Sequence, residues 1–361
     1  LLHATNTREK ALLLHTMAAI KTHTLTLALS ITGWSLCLFS GGCRTEPEAR
    51  DADVAFVRLE QELFDLRGPE VPDSARWQAL ETAHGDMLSL YCHEVIRSAA
   101  PGDTDLRTGA GAFVNDSLMY QVYQKVQATF PTMKPYETAL SDALGRAREA
   151  FPGRPLPRLY TMISGFNQAL VSSDSLLAIA LDKYLGPEEP LYTRLGYPEY
   201  MTRTMRPEYL ARDCVMAWLY TEFAFNDSVD NVLSHLLYHG RTMYLTSRLM
   251  PDMPDTLLTG FTRTQLEWCQ QHEEAMWTFL AGEQMLFSTD YNTIRRLTGT
   301  GPFTAVFSMQ APARAAVWLG YRIVASFVEH KKPSLQELSE MTNYRDIMNR
   351  AVYQPEKPST R

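Results

Sequence analysis

Two histidines four residues apart, His235 and His239, are spaced to share one ion. Residues i and i+4 lie on one face of a helix. Both imidazoles could therefore hold zinc, as in the His-Glu-x-x-His helix of metallopeptidases. Hydrolysis also needs a carboxylate beside the first histidine, to take a proton from metal-bound water. Here that residue is Leu236. A third ligand would have to come from downstream, and spacing does not choose between Glu273 and Glu274. The expectation is a pair of boundary histidines satisfied by hydrogen bonds, with no catalytic residue and no cofactor. Zinc on His235 and His239 is the alternative.

A second reactive residue is Cys43. Lys21, the apolar stretch 25–39 and the small residues Ser40-Gly41-Gly42 precede it. This is the layout of a secretory signal, too short for a comfortable membrane span. Bacterial lipoprotein processing acylates such a thiol and cuts in front of it, although the position three before the cysteine is usually Leu and here is Ser40. Acyl chains would hold the body on a membrane surface, each buried methylene contributing roughly 0.8 kcal/mol. Cys37 follows the bulky Leu36 and fits worse. Met17 is a plausible start, which would make 1–16 spurious.

Other constellations are weaker. The sequence holds no Gly-rich phosphate loop and no Gly-x-Ser-x-Gly elbow. Ser228 and Ser234 share a helix with His235 and cannot surround one carbonyl. Cys92 and His93 are helix neighbours that point apart. Trp268, Trp277, Trp318, Phe279, Phe287 and Tyr321 are expected to be core or helix contacts. Cys92, Cys214 and Cys269 are too few and too scattered for a disulfide framework, and are expected to be buried thiols.

The elements that must position the histidine pair are mostly helices. The stripe Val229, Val232, Leu233, Leu236, Leu237, Gly240, Met243 and Tyr244 follows helical spacing. Leu236 lies at its centre and the histidines lie to one side. Helices are also expected over 54–64, 74–98, 115–150 with breaks at Pro131 and Pro135, 208–225, 228–249, 262–281, 313–330 and 334–340. Asp227-Ser228, Thr262 and Ser334 are the expected N-caps, with Gln265 and Glu337 completing capping boxes. Between them, 156–163, 169–172 and 176–181 read as short strands, antiparallel because their connections are too short for crossovers. The fold class is α+β, predominantly α-helical, with a small, mainly antiparallel sheet inserted mid-chain. The domains are a signal segment 1–42, a tether 43–53, one domain 54–355 and a tail 356–361.

Charge narrows the partners. The chain carries 34 basic and 41 acidic residues. Residues 1–42 hold three of the basic residues (Arg8, Lys10, Lys21) and one of the acidic ones (Glu9), which leaves a net charge of −9 beyond them. Nucleic acid and anionic lipid both need clustered Lys and Arg, and the scattered charges here argue against either.

Several stretches resemble, in order, the gliding-motility lipoprotein B (GldB) family of the Bacteroidota. They are Leu177-Ala-Ile-Ala-Leu-Asp-Lys-Tyr-Leu-Gly186, Tyr197-Pro-Glu-Tyr-Met201, Arg206-Pro-Glu-Tyr209, and His235-Leu-Leu-Tyr-His-Gly240 with Tyr244. Then follow Gly260-Phe-Thr-Arg-Thr-Gln-Leu-Glu-Trp-Cys269, Trp277 with Leu286-Phe-Ser-Thr-Asp290, Gly301-Pro-Phe303, Trp318-Leu-Gly-Tyr-Arg-Ile-Val324 and Tyr353-Gln-Pro355. The resemblance implies an envelope lipoprotein, tied in gliding species to motility and type IX secretion, and held at the outer membrane by its lipid. It implies envelope proteins as partners and a distantly zincin-like body, with the 176–181 strand as an edge for substrate or peptide. Without the base at Leu236, a non-catalytic scaffold is the expected role. A zinc-dependent hydrolase and a peptide or cell-wall binding module are the alternatives.

Overall fold

Prolines and polar caps divide the chain into the helices of the computed structural model, which describes residues 52–357 apart from 69–72, 101, 102 and 104. Cys43, the signal segment and most of the tether lie outside the described residues, as do 358–361 of the tail. The first strand, β1 (Phe56–Arg58), leads into five helices: α1 (Leu59–Phe64), α2 (Ser74–Leu90), α3 (Leu106–Asn115), α4 (Ser117–Thr129) and α5 (Lys134–Ala150). The expected break at 131–135 is present, with Pro135 in the first turn of α5, where a missing N–H costs nothing. Three strands follow: β2 (Arg158–Met162), β3 (Leu170–Ser172) and β4 (Leu176–Ala180). The remainder is helical: α6 (Pro190–Arg194), α7 (Glu199–Thr202), α8 (Leu210–Glu222), α9 (Val232–Leu249), α10 (Asp255–Thr259), α11 (Arg263–Gln271), α12 (Glu273–Gly282), α13 (Tyr291–Thr298), α14 (Ala315–Lys331), α15 (Leu335–Glu340) and α16 (Tyr344–Arg350).

Local signals set several boundaries. Thr262 with Gln265 and Ser334 with Glu337 both form reciprocal capping boxes. The cap of α9 is Asn231, whose side chain accepts from the Ser234 N–H, and not the expected Asp227-Ser228. Those two residues form a separate 3-10 turn capped by Asn226. Residues 56–58 were expected to be helical and are a strand, because β2 offers them backbone partners that a helix there would forgo.

The sheet corrects the expectation of antiparallel pairing. Its order is β1-β2-β4-β3, with β1–β2 and β2–β4 parallel and only β3–β4 antiparallel. A short connection dictates antiparallel pairing only between strands that are also neighbours in space. After β2 the chain passes over one strand position, forms β3 at the far edge, and returns as β4 into the gap. All five β4 residues are buried. The 176–181 strand is therefore interior, not the free edge expected for peptide addition.

The loop between β2 and β3 is held by Asp182, which is fully buried just after β4. Its carboxylate accepts the Ser164 and Phe166 N–H groups at 2.9 and 2.6 Å. Lys183 donates to the Phe166 carbonyl at 3.2 Å and to the Tyr197 hydroxyl at 2.6 Å. Helix α8 packs on β3 and β4 and α1 on β2, while the long helices α9 and α14 pack on each other and share one core with them.

Candidate functional site

The histidine pair sits where the apolar stripe predicts, at the flank of α9. Val232, Leu233, Leu236, Leu237 and Met243 are buried, while Val229 lies outside the helix and is exposed. Each imidazole already has neighbours. His235 Nε2 lies 2.7 Å from an Asp230 carboxylate oxygen, and its ring stacks on Phe225 with centroids 4.5 Å apart. His239 Nδ1 lies 3.0 Å from the Tyr220 hydroxyl. The two rings are 6.1 Å apart. Burial, the Arg314 guanidinium and His235 together push the His239 pKa down to about 3, so this imidazole is neutral at physiological pH.

This donor set does not fit a hydrolytic zinc centre, which takes three protein ligands and keeps an open position. Among the described residues no three His, Cys, Asp or Glu side chains are grouped to hold a metal ion. Glu273, one of the two candidate third ligands, is fully buried elsewhere, where its Oε1 accepts from Tyr353 at 2.7 Å and Arg322 at 3.2 Å. Glu274 joins no such group either. Leu236 is fully buried, and a Cβ added at Gly320 of α14 would stand 2.1 Å from the Leu236 carbonyl oxygen. The position a general base would need is thus sealed by a second helix.

The three cysteines are free and buried, as expected. Burial pushes the Cys92 thiol up to about 11 and the other two higher still, which leaves no thiolate for catalysis.

Sequence reading did not find a second feature. A cavity of 340 Å³ opens beside the β4–α6 segment, lined by Lys183, Arg203, Arg212, Arg314 and Asp213 together with Tyr184, Tyr200, Met205 and Phe261. Asp213 is spent on Arg212, whose Nε it binds at 2.8 Å, and on the Tyr184 hydroxyl, also at 2.8 Å. The other three cations have no carboxylate partner among the described residues. Lys183 has only the Phe166 carbonyl and Tyr197 hydroxyl. Arg203 binds Gln265 Oε1 at 2.9 Å and the Gly260 carbonyl at 3.1 Å, and its buried Nε is without an acceptor. Among the described residues the Arg314 side chain has no hydrogen-bond or ion-pair partner, and its backbone is left-handed (φ 63°) at the start of α14.

No periodicity marks these residues, because they come from five separate segments. The only sequence signal was indirect: four stretches that carry the family resemblance, around Lys183, Tyr200, Gly260 and Gly301, all reach the cavity wall.

A predominantly helical α+β body with a small mixed sheet, a sealed histidine helix and a cationic cavity is the class of protein defined here. The chain belongs to the gliding motility protein GldB family, whose profile matches residues 42–355. No curated protein and no solved structure matches it. The family is one of gliding-motility lipoproteins, which associates the chain with the cell envelope and with motility. No helix among the described residues is long and apolar enough to cross a membrane.

Proposed function

We propose that this chain is a lipid-tethered, non-catalytic accessory of the envelope machinery for gliding and type IX secretion, anchored at the outer membrane through Cys43. It works by contact with envelope proteins and not by turnover. The observation that carries this reading is Leu236. A hydrolytic helix needs an acid at that position facing the metal-bound water, whereas this side chain is wholly buried and the residue's backbone lies against Gly320 of α14. The engagement of both imidazoles by Asp230 and Tyr220 supports the same reading. The small residues before Cys43 support the tether.

Four measurements test it. Zinc in the purified chain after mild dialysis, and hydrolysis of a casein substrate, are both expected at background. Stoichiometric zinc with turnover that His235→Ala abolishes would overturn the reading. Cys43→Ala should move the chain from the membrane pellet to the soluble fraction, and a variant that still pellets removes the tether. Crosslinking in intact envelopes should recover a motility or secretion component; recovery of none ends the accessory role.

A further inference from the structure

Uncompensated charge inside a fold is costly, and it persists where a ligand supplies the missing partner. The cavity of 340 Å³ is within the size range of small-molecule sites. Lys183, Arg203 and Arg314 face it without a carboxylate, in a chain whose net charge is −7. Arg314 is also held in a left-handed conformation that an L-residue with a long side chain rarely adopts. Its guanidinium is thereby left at the cavity wall beside the N-terminus of the 17-residue α14, whose dipole adds positive potential.

We infer that this cavity is a binding site for a small organic oxyanion, a carboxylate or phosphate carried on an apolar body. The guanidinium of Arg314 offers a planar fork of N–H donors that matches either head group, and Arg203, whose terminal nitrogens already donate to Gln265 and Gly260, adds positive charge and the N–H groups left over. Tyr184, Met205 and Phe261 supply an apolar wall for the remainder of the ligand. Beyond Thr300 and Gly301 the rim continues into an open hollow of 650 Å³ that carries Arg295 and Arg296. Its one carboxylate, Asp290, is engaged as the cap of α13 through Thr293. An anion approaching the cavity therefore meets positive charge before it enters. The site is independent of the contact role proposed above: either could fail without the other.

Calorimetric titration of the purified full chain, in neutral detergent at low ionic strength, tests the assignment with phenyl phosphate, benzoate and benzyl alcohol as probes. One or both anions should bind with one-to-one stoichiometry, and the alcohol should bind at least tenfold more weakly. A preference for phenyl phosphate assigns a phosphate head, and a preference for benzoate assigns a carboxylate. Arg314→Gln should weaken the anion at least tenfold without lowering the melting temperature. Arg314→Gly, which relieves the backbone, keeps the test valid should the glutamine variant fold poorly. The inference is overturned if neither anion binds, if the alcohol binds as well as the anions, or if the Arg314 variants retain wild-type affinity.

Discussion

Gly240 and Gly320 bring two helix backbones into direct contact. A Cβ built on Gly240 would lie 2.3 Å from the Gly320 carbonyl carbon, closer than non-bonded carbon atoms approach. Both glycines sit inside long helices, where each costs roughly 0.5–1 kcal/mol relative to alanine. They are retained because no side chain fits between α9 and α14. Gly240→Ala and Gly320→Ala should each destabilise by at least about 2 kcal/mol, since the clashing atoms are backbone and cannot rotate away. Urea denaturation checks this. The double variant should cost less than the sum of the two, because the first methyl already separates the helices.

His239 makes the fold acid-sensitive. Its imidazole, near 6.5 when unfolded, is held down to about 3 when folded. Between those values the unfolded chain binds the extra proton, so stability falls as pH drops from 6.5 toward 3. The slope from this one group is at most about 1.4 kcal/mol per pH unit. His239→Gln, which can still accept from Tyr220, should flatten that part of the profile. An unchanged profile would show that the group titrates normally in the fold.

Arg241 carries a buried charge with no carboxylate partner among the described residues. Its guanidinium lies 5.7 Å from the Tyr238 ring centroid and 5.6 Å from that of Tyr344, and it donates to the Met341 carbonyl at 2.5 Å. It is 1% exposed. A lysine would keep the charge but lose the planar group that both rings face. Arg241→Lys should therefore lower stability by about 1–2 kcal/mol, measured by thermal melting.

The buried carboxylate of Glu273 ties down the end of the chain. It accepts from Tyr353 and Arg322, and Arg322 also pairs with Glu356. Tyr353→Phe should cost about 1 kcal/mol and leave the last described residues open to carboxypeptidase or trypsin. Glu273→Ala should cost more, because the half-buried Arg322 then keeps only the exposed Glu356 as partner and Tyr353 loses its acceptor.

Asp182 should prove equally demanding. Asp182→Asn keeps one acceptor oxygen but turns an NH2 toward a backbone N–H at Ser164 or Phe166. A loss of about 2–4 kcal/mol is expected, together with faster amide exchange in the β2–β3 loop.

What the sequence alone determined is the set of features carried by short-range pattern. The α9 stripe placed Leu236 in the core and the histidines beside it, and the structure agrees, because helical spacing fixes which side chains share a face. The capping boxes at Thr262 and Ser334 were equally legible, since both partners lie within four residues. Ordered stretches over the length of the chain also sufficed to identify the family.

Strand direction was decided only by tertiary structure. The residues of β2, β3 and β4 were recognised as strands, but nothing local states that β4 enters between β2 and β3. The cationic cavity was hidden for the same reason. Lys183, Arg203, Arg212 and Arg314 span 132 positions and look like scattered charge until the chain folds. Helical and capping signals depend on neighbours along the chain, whereas a sheet's order and a cavity's lining depend on contacts between segments far apart in it.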